Sequence, residues 1–164
     1  MKRLVLLLFL VGAVGLGVVL QAMAGSNSAK LLKFGRMAPV VAPFTGTAHP
    51  IRGIGGGGVP WAITSAEGQL LASGKLEIEV HGLIIPARGN NPISAFRGVV
   101  NCLTPDSPDT GVNLVTDPFP ATPAGDSTIE AKLVLPTPCI APIIFVTNGT
   151  GSSPGAWFAT TGTG

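Results

Sequence analysis

Beyond residue 40, no stretch places apolar residues at i, i+3, i+4 and i+7 with charges between them, and proline or glycine soon cuts every apolar run. A helix needs that 3.6-residue stripe to bury one side, whereas a strand needs only alternation over a few residues. The chain has 15 prolines and 23 glycines among 164 residues, which leaves room for short strands and the turns between them. The expected class is therefore all-β: an antiparallel β-sandwich of seven or eight short strands, with a small β-barrel as the alternative.

The clearest alternation fixes a hairpin. Leu76, Ile78 and Val80 fall on one face of a strand expected over residues 75–85, with Glu77, Glu79 and His81 on the other. Its partner is expected over residues 61–71. A three-residue turn, Ala72 to Gly74, sets Leu70 opposite Leu76 and Ala66 opposite Val80, and a slip of one residue would turn every side chain over. Further strands are expected at 96–103, with Phe96, Val100 and Cys102 on one face, and at 112–116. Another covers 128–135, with Ile129, Ala131, Leu133 and Leu135 inward. The nearly all-apolar run 140–147 reads as a central strand, and 156–160 as the last. Residues 105–111 read as a turn throughout. The connections after Leu103 and Thr116 are long enough to cross between sheets, as a Greek key requires.

The N-terminus has a different character. Lys2 and Arg3 precede an apolar run from Leu4 to Leu20, and Ala22-Met23-Ala24 supplies small residues at the −3 and −1 positions of a cleavage site. This is the layout of a secretory signal peptide over residues 1–24, expected as an N-terminal signal helix with Ala22 and Ala24 marking cleavage. It implies a secreted or cell-envelope exterior location, and membrane contact only through that segment if it is kept. Without Lys2 and Arg3 the formal charge of +2 falls to zero. No basic stripe remains to neutralise phosphates, which argues against nucleic acid as a partner. Residues 25–58 read as an irregular Pro- and Gly-rich arm ending in a flexible linker, Gly53 to Gly58, because glycine is costly to order. Residues 59–164 hold the expected sandwich domain.

An exported chain with two cysteines is most simply stapled by one disulfide, Cys102 to Cys139, expected to lock stacked layers of extended backbone together. Neither cysteine has a second ligand at zinc-like spacing.

Motifs that could carry chemistry are weak. Gly53 to Gly58 satisfies G-x-G-x-x-G, but Val59-Pro60 follows where a nucleotide site needs a helix N-terminus. No cofactor is expected. His81 with Glu79 or Glu77 is the one general-base pairing in reach, and it would suit a secreted hydrolase, although no G-x-S-x-G elbow presents a serine. Asp106 and Asp109 share one loop, and Asp117 and Asp126 flank another. Calcium takes six to eight oxygens, so turn formation is the simpler role for these aspartates and no metal is expected. Asn148-Gly149-Thr150 fits a glycosylation sequon and also a turn. Trp61, Trp157, Phe96 and Phe145 read as core, and Phe119, between two prolines, as the exposed aromatic.

Val59-Pro60-Trp61 through Gly82-Leu83, Asn91-Pro92, Cys102, Phe119-Pro120-Ala121 to Ala124-Gly125-Asp126, Pro138-Cys139 and Ala156-Trp157 together resemble small secreted bacterial proteins of unassigned function. The resemblance spans residues 59–160. It implies an immunoglobulin-like or similar sandwich, and no catalytic motif comes with it. The expected function is a non-enzymatic structural or binding module, with the hydrolase as one alternative. The other is a surface assembly with a protein partner or a second copy, joined by β-strand addition through the 25–58 arm.

Overall fold

Residues 29–162 are described by a computed structural model, and all their regular structure is extended. The strands are β1 (Lys30–Phe34), β2 (Ala38–Pro39), β3 (Ser65–Leu71), β4 (Lys75–His81), β5 (Ala95–Thr104), β6 (Ser107–Val115), β7 (Phe119–Pro120), β8 (Ser127–Lys132), β9 (Ile140–Thr147) and β10 (Trp157–Thr160). A four-stranded sheet has the order β1-β3-β4-β8. A six-stranded sheet has the order β2-β10-β9-β5-β6, with β7 also on β5. All named strand pairs are antiparallel, and the sheets stack as a sandwich, not a barrel. The expected leader, with its cleavage residues Ala22 and Ala24, lies outside the described residues.

The hairpin register is the one the alternation predicts: Leu70 pairs with Leu76 and Ala66 with Val80. Gly74 closes the turn at φ 87°, a conformation open to glycine at no steric cost. Ala66, Leu70, Leu76, Ile78, Val80 and Ile129 are all buried, and so are Phe96, Val100, Cys102, Ile144, Val146 and Phe158 of the six-stranded sheet. The sheets meet closely at Gly98, where an added Cβ would lie 3.0 Å from Leu76 Cδ2 and 3.2 Å from Ile78 Cδ1. Trp61 stacks on Phe158 at 4.3 Å, completing one end of this inner layer.

Several strand limits differ from expectation, each for a local reason. The first hairpin strand starts at Ser65, because Trp61 is turned into the core and its N–H donates to the Val40 carbonyl. Its partner stops at His81, because Gly82 takes φ 65° and donates its N–H to Asp126 Oδ1. Residues 105–111 are mostly strand and not a turn throughout. Thr104 pairs with Ser107, so the connection after Leu103 is a tight hairpin within one sheet and not a crossover. Pro108 is tolerated there because β6 is an edge strand whose outer side needs no donor. The connection after Thr116 does cross as expected, β6 returning to the four-stranded sheet through β7, and further crossings run from β4 to β5 and from β8 to β9. That sets β8 beside β4 and β9 beside β5, a Greek-key arrangement. Phe119 is half-buried in β7, paired with Phe96, and so is not the exposed loop aromatic expected.

The largest departure is the 25–58 arm. Within it, β1 pairs with β3 and β2 with β10, Val40 and Gly55 to Gly57 bond to the β10 backbone at the sheet's edge, and Phe44 and Arg52 reach over the outer face of the six-stranded sheet. Phe44 sits 6.5 Å from Trp157, which sits 6.3 Å from Phe145. Arg52 Nη1 donates to Asn101 Oδ1 at 2.9 Å. The glycine tract is no linker. Gly57 donates to the Trp157 carbonyl and Trp157 to the Gly55 carbonyl, and a Cβ on Gly56 would lie 2.1 Å from the Phe44 oxygen. Here glycine serves close backbone approach rather than flexibility. The cover explains why both faces of β5 and of the second half of β9, from Ile144, are buried, including Val99, Asn101 and Phe145.

Cys102 and Cys139 form the expected disulfide, with Cα atoms 4.9 Å apart. Its placement corrects the expectation. Cys102 lies in β5 and Cys139 immediately precedes β9, the neighbour of β5, so the bridge fastens adjacent strands of one sheet.

Candidate functional site

The alternation that buries one face of the four-stranded sheet exposes charge on the other. The paired rows across β3, β4 and β8 are Ser65–His81, Glu67–Glu79–Thr128 and Gln69–Glu77–Glu130, with Lys75 opposite Lys132 at the end. Lys33 of β1 pairs with Gln69. Of these, Lys33, Glu67, Gln69, Glu77, Glu79, Thr128 and Glu130 floor an open groove of about 500 Å³. Strands set their spacing, so this is a rigid platform with an acidic middle and lysines at its margins.

Within it, Gln69 Nε2 donates to Glu77 Oε2 at 2.6 Å, and Lys75 Nζ pairs with Glu77 Oε1. The hydrogen bonds from Lys75 and then Gln69 hold the Glu77 carboxyl below its ordinary range, and the same contact raises the Lys75 ammonium. Glu77 is therefore turned toward Lys75 and Gln69. It is Glu79 that meets His81.

His81 Nε2 lies 3.3 Å from Glu79 Oε1, and Nδ1 lies 3.6 Å from Asp126 Oδ1. All three side chains are about half exposed. Asp126 is held in place by the Gly82 N–H at 3.0 Å and by Thr122, whose Oγ1 receives the Asp126 N–H at 3.1 Å. Both ring nitrogens thus face carboxylates. General-base activation of a hydroxyl needs one carboxylate to orient the ring and the other nitrogen free to take the proton. The observed arrangement suits recognition of a polar or cationic group, or a fixed ring, better than activation of Ser65 across the strand pair.

Of the remaining sequence candidates, Asp106 occupies the β5–β6 turn and Asp109 the exposed part of β6, while Asp117 follows β6 and lines a cleft with Glu130 and Lys132. Among the described residues, no group of three or more His, Cys, Asp or Glu is placed to hold a metal ion. Asn148 Oδ1 accepts the Ala156 N–H at 3.0 Å, closing the β9–β10 turn. The sequence reading did not join Asp126 to His81, because 44 residues separate Gly82 from the aspartate that caps it. Gln69 was within reach, since the correct register places it opposite Glu77.

The chain matches no protein-family model, no curated protein and no solved structure among the comparisons made.

Proposed function

We propose that this chain is an exported, non-enzymatic binding or structural module of the cell envelope or exterior, and that it presents the outer face of its four-stranded sheet to a partner. The observation that carries the reading is the Cys102–Cys139 disulfide, a bond that persists outside the reducing cytoplasm and accords with the leader-like start of the chain. The strand order supports the immunoglobulin-like resemblance. β3-β4-β8 facing β10-β9-β5-β6 follows the A-B-E and G-F-C-C′ order of such sandwiches, with the bridge moved from the B–F to the C–F strand pair. The platform of Glu67, Glu77, Glu79, Glu130, Gln69 and Thr128 favours a cationic or hydroxyl-rich partner by charge and hydrogen-bonding capacity.

Screening the protein against ester, glycan and peptide substrates tests the reading. Binding that Glu67→Gln and Glu79→Gln weaken, with no turnover, supports it. Turnover that vanishes in His81→Ala while the fold survives replaces it with a secreted hydrolase using His81 and a nearby carboxylate. Assembly through the 25–58 arm would require that arm to leave contacts it already makes, since β1 and β2 pair within their own chain.

A further inference from the structure

We infer that two copies of this chain associate edge to edge through β8, joining their four-stranded sheets into one continuous eight-stranded sheet. The proposal does not depend on export, and it uses the backbone edge of β8, whose Thr128 and Glu130 side chains also border the platform groove.

Among the described residues β8 is the outermost strand of its sheet, with β4 on one side only. The Leu133 N–H donates to the Gly74 carbonyl, which continues the β4 register and fixes which residues hydrogen-bond inward. Ser127, Ile129 and Ala131 turn their backbone groups to β4. Thr128, Glu130 and Lys132 therefore turn theirs to the free side, because antiparallel pairing alternates. A cleft of about 310 Å³ lies between Glu130 to Leu133 and the Val115, Thr116, Asp117 and Phe119 segment of the same chain, which leaves space beside the centre of the edge. Just beyond it, Val134 is 90% exposed.

The charges select both the partner and the register. Within one chain Glu130 stands directly opposite Glu77, and Lys132 directly opposite Lys75. Like charges directly across a strand pair are destabilising. A two-fold axis through Ala131 sets Glu130 against the partner's Lys132, and Lys132 against the partner's Glu130. Each like-charged pair then gains the opposite sign beside it, and Val134 covers the partner's Thr128. Moving the axis by one residue sets Glu130 against itself or Lys132 against itself. The other edges suit pairing less well: β6 is interrupted by Pro108 and a register shift, and β1 carries Lys30 and Lys33 with no acid to answer them.

Light scattering over a concentration series, read with amide hydrogen exchange, tests this on the exported protein as recovered. Mass should rise toward twice the monomer value, with the amides of Thr128, Glu130 and Lys132 protected as it does. Glu130→Lys or Lys132→Glu alone should weaken association about tenfold, two ion pairs becoming two repulsions. The double exchange Glu130→Lys with Lys132→Glu should restore it. Both positions are exposed, so the variants keep the fold. A chain that stays monomeric at all concentrations overturns the proposal, as does association that the single changes leave intact or the double change fails to rescue.

Discussion

Gly56 and Gly58 stand two residues apart in the same glycine tract, and the structure predicts opposite outcomes for the same substitution. A Cβ on Gly56 would lie 2.1 Å from the Phe44 carbonyl oxygen and 2.6 Å from Val40 Cγ2. Neither can yield freely. Val40 is fully buried and donates to the Phe158 carbonyl, and the tract is tied to Trp157 on both sides of Gly56. Overpacking of this kind costs roughly 1–3 kcal/mol, and loss of one of the Trp157 hydrogen bonds adds about 1 kcal/mol, so Gly56→Ala should destabilise by about 3 kcal/mol. Gly58 has nothing within 4 Å of its Cβ position and no positive φ. Gly58→Ala should stabilise by roughly 0.4–1 kcal/mol, by narrowing the unfolded ensemble. With a urea slope of about 2 kcal/mol/M, the two midpoints should separate by about 2 M. Fluorescence of the buried Trp61 and Trp157 reports the transition. If both variants shift together in the stabilising direction, the tract is a linker and the cover over the six-stranded sheet is wrong.

Replacing Cys102 and Cys139 together by Ser should cost about 4 kcal/mol on the loop-entropy relation, since the bridge spans a sequence separation of 37, and matched denaturation curves with and without reductant check it. The hydrogen bonds from Lys75 and Gln69 hold the Glu77 carboxyl below the ordinary value of 4.5, so its contribution is present above that pH and is lost as pH falls through the lowered folded value. The stability gap between the wild type and Glu77→Gln should therefore shrink between pH 7 and pH 3, and an equal gap at both would show that the Lys75 and Gln69 contacts do not form. Lys75 behaves in the opposite sense: its raised value supports the fold below pH 10.5 and is lost as pH climbs past the folded value, which Lys75→Met should abolish in alkaline melts.

Where burial is one-sided, the sequence carries the structure openly. β4 and β8 alternate cleanly because one face meets the core and the other meets water, and the register of the β3–β4 hairpin follows from that with its turn glycine. The run 140–147 lacks alternation as expected of a strand covered on both sides, but only Ile144 to Thr147 is so covered, in part by Phe44, which no local pattern announces, while Ile140 stays exposed. Glycine carries two meanings, freedom to bend and permission for backbones to touch. Only the distance from Gly56 to Phe44, set by tertiary packing, chooses between them. Pro108 reads as turn chemistry in the sequence because its tolerance in a strand depends on β6 being an edge, a property of strand order. The platform was half legible: its β4 row of Glu77, Glu79 and His81 is visible in the alternation, whereas Asp126 arrives from a distant loop through a hydrogen bond to the Gly82 backbone.

Trapping thiols during lysis, then weighing the intact protein from the cytoplasmic and exported fractions without reductant, tests the account most directly. An exported species lacking both alkyl groups, and accepting two only after reduction, is the predicted result. Protein confined to the cytoplasm with Cys102 and Cys139 both alkylated would contradict it.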